Sequence, residues 1–333
     1  MIPLINLLVK YIPLHFKKSF FLGFVLILIC GTAEVFSLNS IIPFLNALQD
    51  VDYQSSQTDF LINLVPISFN NSELIIPAFI FAFSALITST LRIYSFWFNS
   101  KLLSKIGTYL SDIIFTNFLN KEYETHINED KNKALMIFTK HLDSTVKAIE
   151  LLFQGVSSTF ISLFIIFTLI SFNLNLTLLA FSIFIIYYGF IIIYFKKKIL
   201  LNGKIIADQQ QNRVKLIRNT IGGIRDIIIN QNNKYLANEF NKSYEILRSK
   251  TVTNSVIAFF PKYLLEGVGI AIISIISVLI YSEGDVTRLT LLGGAAYAAQ
   301  RLLPSIQVMF SSWTGLKTFQ ANINVIEKEL GKI

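Results

Sequence analysis

Long apolar segments are the feature that most constrains how this chain can fold. Six of them follow one another, at about residues 20–48, 74–98, 148–172, 176–195, 255–281 and 289–316. A helix of about 20 residues crosses the roughly 30 Å hydrocarbon layer of a bilayer and satisfies its own backbone hydrogen bonds there. The β-branched runs within these segments lack the alternation of barrel strands. The sequence therefore predicts an all-α membrane protein with six transmembrane helices.

Composition agrees with a chain whose solvent is largely lipid. Hydrophobic residues make up 53% of the 333 residues and charged residues only 15%, whereas about 25% charged is usual for soluble domains. The single cysteine, Cys30, lies in an apolar run and is expected to be a small buried hydrophobe. The histidines His15, His126 and His141 are scattered, without nucleophile or metal-ligand spacing. We therefore expect no enzymatic activity and no metal site in this chain alone.

Lysine and arginine are distributed unevenly among the polar segments. Segments 1–19, 99–147 and 196–254 contain 22 of them, whereas the three intervening polar segments contain one, Arg288. Positive residues favour the cytoplasmic side of a membrane protein. The bias predicts a protein of the inner (plasma) membrane with both termini and both long polar segments in the cytoplasm. It also accounts for the net charge of +8 without a nucleic-acid partner.

The two longest polar segments, 99–147 and 196–254, are expected to form helical arms. Within 202–250, isoleucine and valine recur every three or four residues, as in an amphipathic helix. An out-and-back pair of helices of this length would reach roughly 35 Å beyond the membrane; a pair of solvated loops is the alternative. Residues 1–18 predict an amphipathic interfacial helix, with a frayed terminus as the alternative. Residues 317–333 predict a cytoplasmic helical tail.

Four short motifs have the order and topology of a known family. They are 33–36 with 42–44 (Ala-Glu-Val-Phe and Ile-Pro-Phe), 118–123 (Phe-Leu-Asn-Lys-Glu-Tyr), 261–269 (Pro-Lys-Tyr-Leu-Leu-Glu-Gly-Val-Gly) and 301–305 (Arg-Leu-Leu-Pro-Ser). Together with six spans and short external turns, they resemble the membrane domain of ABC exporters of the type 1 fold. They are most similar to motifs of the lipid-linked oligosaccharide flippases of bacterial protein glycosylation. The resemblance covers nearly the whole chain and implies a six-helix exporter domain at 19–316.

The resemblance implies a partner that hydrolyses ATP. ABC exporters of this type carry an ATPase domain directly after the sixth helix, which is the position of 317–333 here. No Gly-x-x-x-x-Gly-Lys-Ser/Thr phosphate loop occurs in the sequence, so we expect ATP and Mg to act through a partner ABC ATPase, with no cofactor in this chain. A separate ATPase chain, a truncation and a loss of transport are the alternatives. The family also implies a homodimer of membrane domains in contact with membrane lipids.

Ionisable side chains inside the predicted spans mark the candidate cargo cavity, because charges are costly in lipid and often mark transport pathways. They are Glu34, Arg92, Glu266 and Arg301. Arg92 and Arg301 would offer guanidinium groups to a phosphate or pyrophosphate of the cargo. The alternative is internal pairing, Glu34 with Arg92 and Glu266 with Arg301. Arg92 and Glu266 would instead lie at the cytoplasmic interface if their helices extend well beyond the bilayer.

The turns at the ends of the two arms are the candidate contacts with the ATPase. By resemblance, they occupy the positions of the coupling helices, which seat in grooves of the ATPase in ABC exporters. The matching residues are Lys121, Glu122, Tyr123 and Glu124 in the first arm, and Gly222, Gly223, Arg225 and Asp226 in the second. Two adjacent glycines in the second arm permit a sharp turn. A kink without a partner is the alternative there.

These features lead to one expected function and several alternatives. The chain is expected to be the transmembrane subunit of an ATP-driven ABC exporter or flippase that moves a lipid-linked or other amphipathic cargo. Export of a peptide or of another lipid is an alternative, as is a non-transporting membrane scaffold or a remnant of an exporter. A secondary transporter would show inverted repeats with broken helices at mid-membrane, and the sequence has no such paired interruption.

Overall fold

In a computed structural model, the chain is built from helices. The structure describes residues 4, 8, 10–11, 13–48, 72–128, 131–172, 174–282 and 286–331. The main stretches without described side chains are 172–181 and 268–292. The described residues contain no strand, which confirms the all-α prediction. The expected external stretch 49–71 lies outside the described residues.

Helix lengths are the main architectural feature. The helices are α1 (Leu14–Asn39), α2 (Ile41–Leu48), α3 (Ser72–Leu119), α4 (Tyr123–Asn128), α5 (Lys131–Met136), α6 (Leu142–Phe172), α7 (Leu174–Gly222), α8 (Ile224–Ile229), α9 (Asn233–Ser282), α10 (Val286–Thr318) and α11 (Gln320–Leu330). A π-helical turn, Ile137–His141, joins α5 to α6. Because α3, α7 and α9 contain 48, 49 and 50 residues, each is more than about 70 Å long at 1.5 Å per residue. That is over twice the roughly 30 Å of a hydrocarbon layer.

Three described helical stretches are long and apolar enough to cross a membrane. They are Phe16–Leu45, Ile75–Leu119 and Ala134–Ser171, at the positions of the expected first, second and third spans. They expose large apolar side chains such as Phe21, Phe79 and Phe167, in numbers that a soluble monomer would bury. The membrane character of these helices is therefore supported. The expected fourth, fifth and sixth spans fall on the helices α7, α9 and α10.

The first expected span is broken near its end. α1 ends at Asn39 and α2 begins at Ile41, with Pro43 in its first turn. A continuous helix would need an N–H from residue 43 to reach the carbonyl of Asn39, and proline has none. Proline is tolerated in the first turn of a new helix, where that N–H has no partner within the helix.

Packing of the bundle is centred on α6 and α10, which lie against each other. α1 and α3 pack on α6, and α7 and α9 pack on α10. One buried apolar cluster joins α1, α6, α7 and α10 through residues such as Leu38, Ile165 and Phe310. A second cluster joins α3, α6 and α11 through Leu110, Ile149 and Ile326 among others. The first cluster lies among the apolar helices, and the second lies along the first arm.

Described residues from both the N-terminal and the C-terminal part of the chain pack in the second cluster. Leu4, in the segment predicted to be an interfacial helix, is 1% exposed and packs there. Ile323 and Leu330 of α11 belong to the same cluster. Within 317–331 the predicted tail is helical, and its helix α11 packs along the first arm.

The second arm is formed by α7 and α9, which pack along each other and are joined by α8. Its isoleucines are buried only near the bundle. Ile206 is buried, whereas Ile217, Ile221 and Ile228 are 43%, 69% and 68% exposed. The amphipathic pattern therefore forms helices as predicted, but its apolar face is uncovered towards the end of the arm.

Candidate functional site

An ion cluster joins α1, α3 and α10. Glu34 on α1 is fully buried and lies between Arg92 on α3 and Arg301 on α10. Its Oε2 is 2.9 Å from Nη2 of Arg92, and its Oε1 is 3.3 Å from Nη1 of Arg301. The side chains of Arg92 and Arg301 are 35% and 19% exposed, respectively. One buried carboxylate thus serves two guanidinium groups that are partly accessible.

Small polar side chains bring α1 and α3 together beside this cluster. The hydroxyl of Thr88 donates a hydrogen bond to the carbonyl of Ala33 (3.1 Å), and the hydroxyls of Ser40 and Ser84 lie 3.0 Å apart. Ser84, Thr88 and Arg92 are spaced four residues apart and so share one face of α3. Because such residues let helices approach closely in lipid, this face directs the arginine towards α1.

Arg301 contacts a different carboxylate from the one expected for an internal ion pair. The contact between Glu34 and Arg92 is present, but Arg301 also contacts Glu34 and not Glu266. Glu266 is exposed on α9. The adjacent Leu302 belongs to the same buried apolar cluster as Leu38 of α1. Three of the four expected cavity residues therefore form one site, and Glu266 is not part of it.

The cluster leaves hydrogen-bonding capacity unused. Both carboxylate oxygens of Glu34, and Nε and Nη2 of Arg92, are buried without an aligned hydrogen-bond partner among the described residues. Their ion-pair distances are short, but their angles are not those of hydrogen bonds. A guanidinium has five N–H donors in a planar fork that matches the oxygens of a phosphate or carboxylate. The site is thus chemically suited to an oxyanion.

Aromatic rings line the side of the cluster next to Arg301. Its Nη2 donates a hydrogen bond to the hydroxyl of Tyr297 (2.7 Å), one turn earlier on α10, and its guanidinium carbon lies 5.2 Å from the ring centroid. The Tyr297 ring meets Phe81 edge to face, and Phe81 stacks on Phe44, both with centroids 5.5 Å apart. The three rings are partly exposed. A charged centre therefore lies beside an apolar, aromatic surface.

A search against models of known protein families finds none that matches this chain. Its role must therefore be inferred from the ion cluster, the aromatic surface and the long arms.

The first arm ends in a short turn followed by α4. Tyr123 is 79% exposed, and Glu122 and Glu124 are also exposed. Lys121 instead lies 3.5 Å from the carboxylate of Glu329 on α11. A cavity of about 510 Å³ lies between the end of α3, α4, the π-helix and the end of α11. Three of the four expected contact residues thus face outward, and the fourth connects the tip to the tail.

The second arm is interrupted at two places, at its glycines and after α8. Gly223 has φ −109°, outside the left-handed region, and α8 begins at the next residue. The left-handed residue is Gln231, with φ 52°, between α8 and α9. The break expected at Gly222 and Gly223 is therefore present, and a second break follows α8 at residues 230–232. Arg225 and Asp226 are exposed on α8, so the tip of this arm is α8 and the turn that follows it.

Sequence reasoning missed two buried polar contacts near the arms. Asn254 on α9 accepts a hydrogen bond from Asn202 on α7 (2.8 Å) and donates one to Thr318 at the end of α10 (2.9 Å). His141 of the π-helix lies 2.8 Å from Asn322 of α11. Asparagine near the end of an apolar segment is a usable signal for the first contact. The second depends on the π-helical turn, for which the sequence has no evident marker.

Proposed function

We propose that this chain is the transmembrane subunit of an ATP-driven exporter or flippase, and that it moves an amphipathic cargo with an anionic headgroup. The observation that carries the proposal is the length of α3, α7 and α9, which extend tens of ångströms beyond what a bilayer requires. Helices that only anchor a protein need no such extensions. Arms of this length place contact surfaces far from the membrane.

The proposed topology has six spans. The three apolar helical stretches supply the first three, and the apolar parts of α7, α9 and α10 supply the others. The lysine and arginine bias favours a cytoplasmic location for the arms and both termini. In this orientation, both arm tips would meet a soluble partner.

That partner is proposed to be an ABC ATPase. The first tip offers exposed acidic residues and Tyr123, and the second offers exposed isoleucines such as Ile224 and Ile228. Exposed aromatic and apolar side chains at the end of a rigid helical arm are suited to bind a protein surface. Nucleotide binding by the partner would shift the membrane helices between two arrangements. A homodimer of membrane domains belongs to the same proposal.

The cargo would bind at the ion cluster. Ionisable residues held within apolar helices favour a transport pathway, and the partly exposed guanidinium groups of Arg92 and Arg301 are suited to an anionic headgroup. The neighbouring rings of Tyr297, Phe81 and Phe44 offer an apolar surface to the rest of the molecule.

Photo-crosslinking tests the proposal. p-Benzoylphenylalanine would replace Tyr123 at the first tip or Ile224 at the second, with Phe190 on the apolar part of α7 as the matched control; all three side chains are well exposed. After crosslinking in native membranes, adducts from both tips should carry one polypeptide that is also labelled by 8-azido-ATP. The control position should not yield that adduct. Adducts without nucleotide labelling would favour a scaffold instead of a transporter subunit.

A further inference from the structure

The charges of the ion cluster do not balance among the residues that the structure describes. Glu34 contributes one negative charge, and Arg92 and Arg301 contribute two positive charges. The hydroxyl of Tyr297, the other described group in contact with Arg301, is neutral. If all three residues are ionised, the site carries one surplus positive charge per chain.

We infer that this cluster binds a single, singly charged oxyanion per chain, of the phosphodiester type, and discriminates against a diphosphate. The inference rests on the proposed function, because it takes the cluster to be the cargo site. Burying an unpaired charge is costly, so a ligand that brings the total to zero is favoured. A diphosphate would bring at least two negative charges and leave a net negative site.

Glu34 sets this preference. It is fully buried behind the two arginines, whereas the arginine side chains are partly exposed. A ligand therefore reaches the guanidinium groups and not the carboxylate. Glu34 acts as a resident anion that neutralises one of the two arginine charges before any ligand arrives.

The two arginines have different parts in this arrangement. Nε and Nη2 of Arg92 are buried, and Nη2 lies 2.9 Å from Oε2 of Glu34, so a ligand reaches Arg92 through the exposed part of its side chain. Arg301 is held by Tyr297 through a hydrogen bond of 2.7 Å as well as by Glu34. Tyr297 is thus a positioning residue that fixes the plane of the Arg301 guanidinium.

The aromatic surface indicates that the oxyanion belongs to an amphiphile. Tyr297, Phe81 and Phe44 form a continuous row of ring contacts that starts at Arg301. A headgroup on the arginines would leave the apolar part of the same molecule beside these rings. A free inorganic anion would make no use of them.

Native mass spectrometry of the detergent-purified chain tests the inference without an ATPase. The chain is mixed with equimolar dioleoyl phosphatidylglycerol, which has one phosphodiester charge, and farnesyl diphosphate, with dioleoyl phosphatidylcholine as the zwitterionic reference. The wild-type chain should retain phosphatidylglycerol over farnesyl diphosphate by about tenfold or more. Glu34→Gln raises the surplus to two charges and should reverse the order. Glu245→Gln, the same change at an exposed residue of the second arm, should leave it unchanged.

Two further variants keep the test decisive if Glu34→Gln does not fold. Arg301→Gln makes the cluster neutral and should bring phosphatidylglycerol down to the level of phosphatidylcholine. Tyr297→Phe should weaken phosphatidylglycerol binding less than Arg301→Gln does, and phosphatidylglycerol should still be retained over farnesyl diphosphate. Dimethyl phosphate at equal concentration should not displace phosphatidylglycerol; displacement would mean that a free anion suffices and would overturn the amphiphile assignment.

Either of two results would overturn the charge rule: a wild-type preference for the diphosphate, or an order of lipids that Glu34→Gln and Arg301→Gln both leave unchanged. Failure of the proposed function is a separate outcome. Arm tips that capture no nucleotide-binding partner would refute the transport proposal and leave the lipid ratios as measured. A failed lipid ratio would leave the crosslinking result intact.

Discussion

The ion cluster predicts a strict order of stability among variants in which one or more of its charged side chains are replaced by glutamine. Glu34→Gln removes the carboxylate that both arginines share and leaves two positive charges at 2.9 and 3.3 Å from an amide. Removing one partner of a buried ion pair costs about 3–5 kcal/mol. Because the arginine side chains keep part of their exposure, we expect about 3 kcal/mol, the lower end of that range.

Arg301→Gln should cost much less. It leaves Glu34 and Arg92 as a one-to-one pair at 2.9 Å, with no net charge. Polar contacts between helices in membranes contribute about 0.6 kcal/mol on average, so the loss of two contacts from Arg301 should cost about 1 kcal/mol. The triple variant with Gln at all three positions also has no net charge and should regain most of the stability that Glu34→Gln loses.

The assay is the apparent melting temperature of each detergent-purified variant, read by size-exclusion chromatography after heating, with Glu245→Gln as the exposed control. Glu34→Gln should melt lowest, Arg301→Gln close to wild type, and the triple variant between them. The reasoning is refuted if Arg301→Gln melts as low as Glu34→Gln, or if the triple variant melts lowest of all.

Three further predictions concern the rest of the chain. In a Cys30→Ser background, a cysteine at position 55 should react with an impermeant reagent from outside intact cells and one at position 211 only after lysis, because the positive-residue bias places them on opposite sides; equal outside labelling of both would contradict the orientation. The purified chain should bind no ATP at micromolar concentration by equilibrium dialysis, because it has no phosphate loop. Gly203→Ala should lower the melting temperature, because a Cβ at this position would meet the Thr318 carbonyl and lie 3.0 Å from the Thr318 Cα. Gly189→Ala should not lower it, because a Cβ there has no neighbour within 4 Å. Equal effects of the two variants would show that α7 does not pack on α10 as described.

The helices, and much of the first arm tip, could be predicted because their signals are local. Apolar length predicted the first three spans, and the polar run with Lys121 to Glu124 predicted the turn before α4. The second arm breaks at the predicted glycines, where α7 ends at Gly222, and again after α8, where no break was predicted. Two glycines permit a sharp turn, but the run Asn230-Gln231-Asn232 is also rich in turn residues, and the left-handed residue lies there.

The partner of Arg301 could not be predicted, because it depends on how helices rotate about their own axes. α1 and α10 are apolar on several faces, so periodicity does not show which face points inward. From the sequence, the internal pairs were expected to be Glu34 with Arg92 and Glu266 with Arg301. The structure instead has Arg301 in contact with Glu34, and it leaves Glu266 exposed. The contact of Arg301 with Tyr297, four residues earlier, was accessible to sequence reasoning through its helical spacing.

Two helical paths connect the ion cluster to the tip of the first arm. From Arg92, α3 runs about 40 Å to the tip at 1.5 Å per residue. From Arg301, α10 and α11 run a similar distance to Glu329, which pairs with Lys121 at that tip. Glu34 therefore links the two paths at one end, and Lys121 with Glu329 links them at the other. In the transport proposal, a partner that displaces the tip moves α3 relative to α10. In that proposal, such a shift would change the separation of the two guanidinium groups around Glu34, so that an anion held by both would be bound in one arrangement and released in the other.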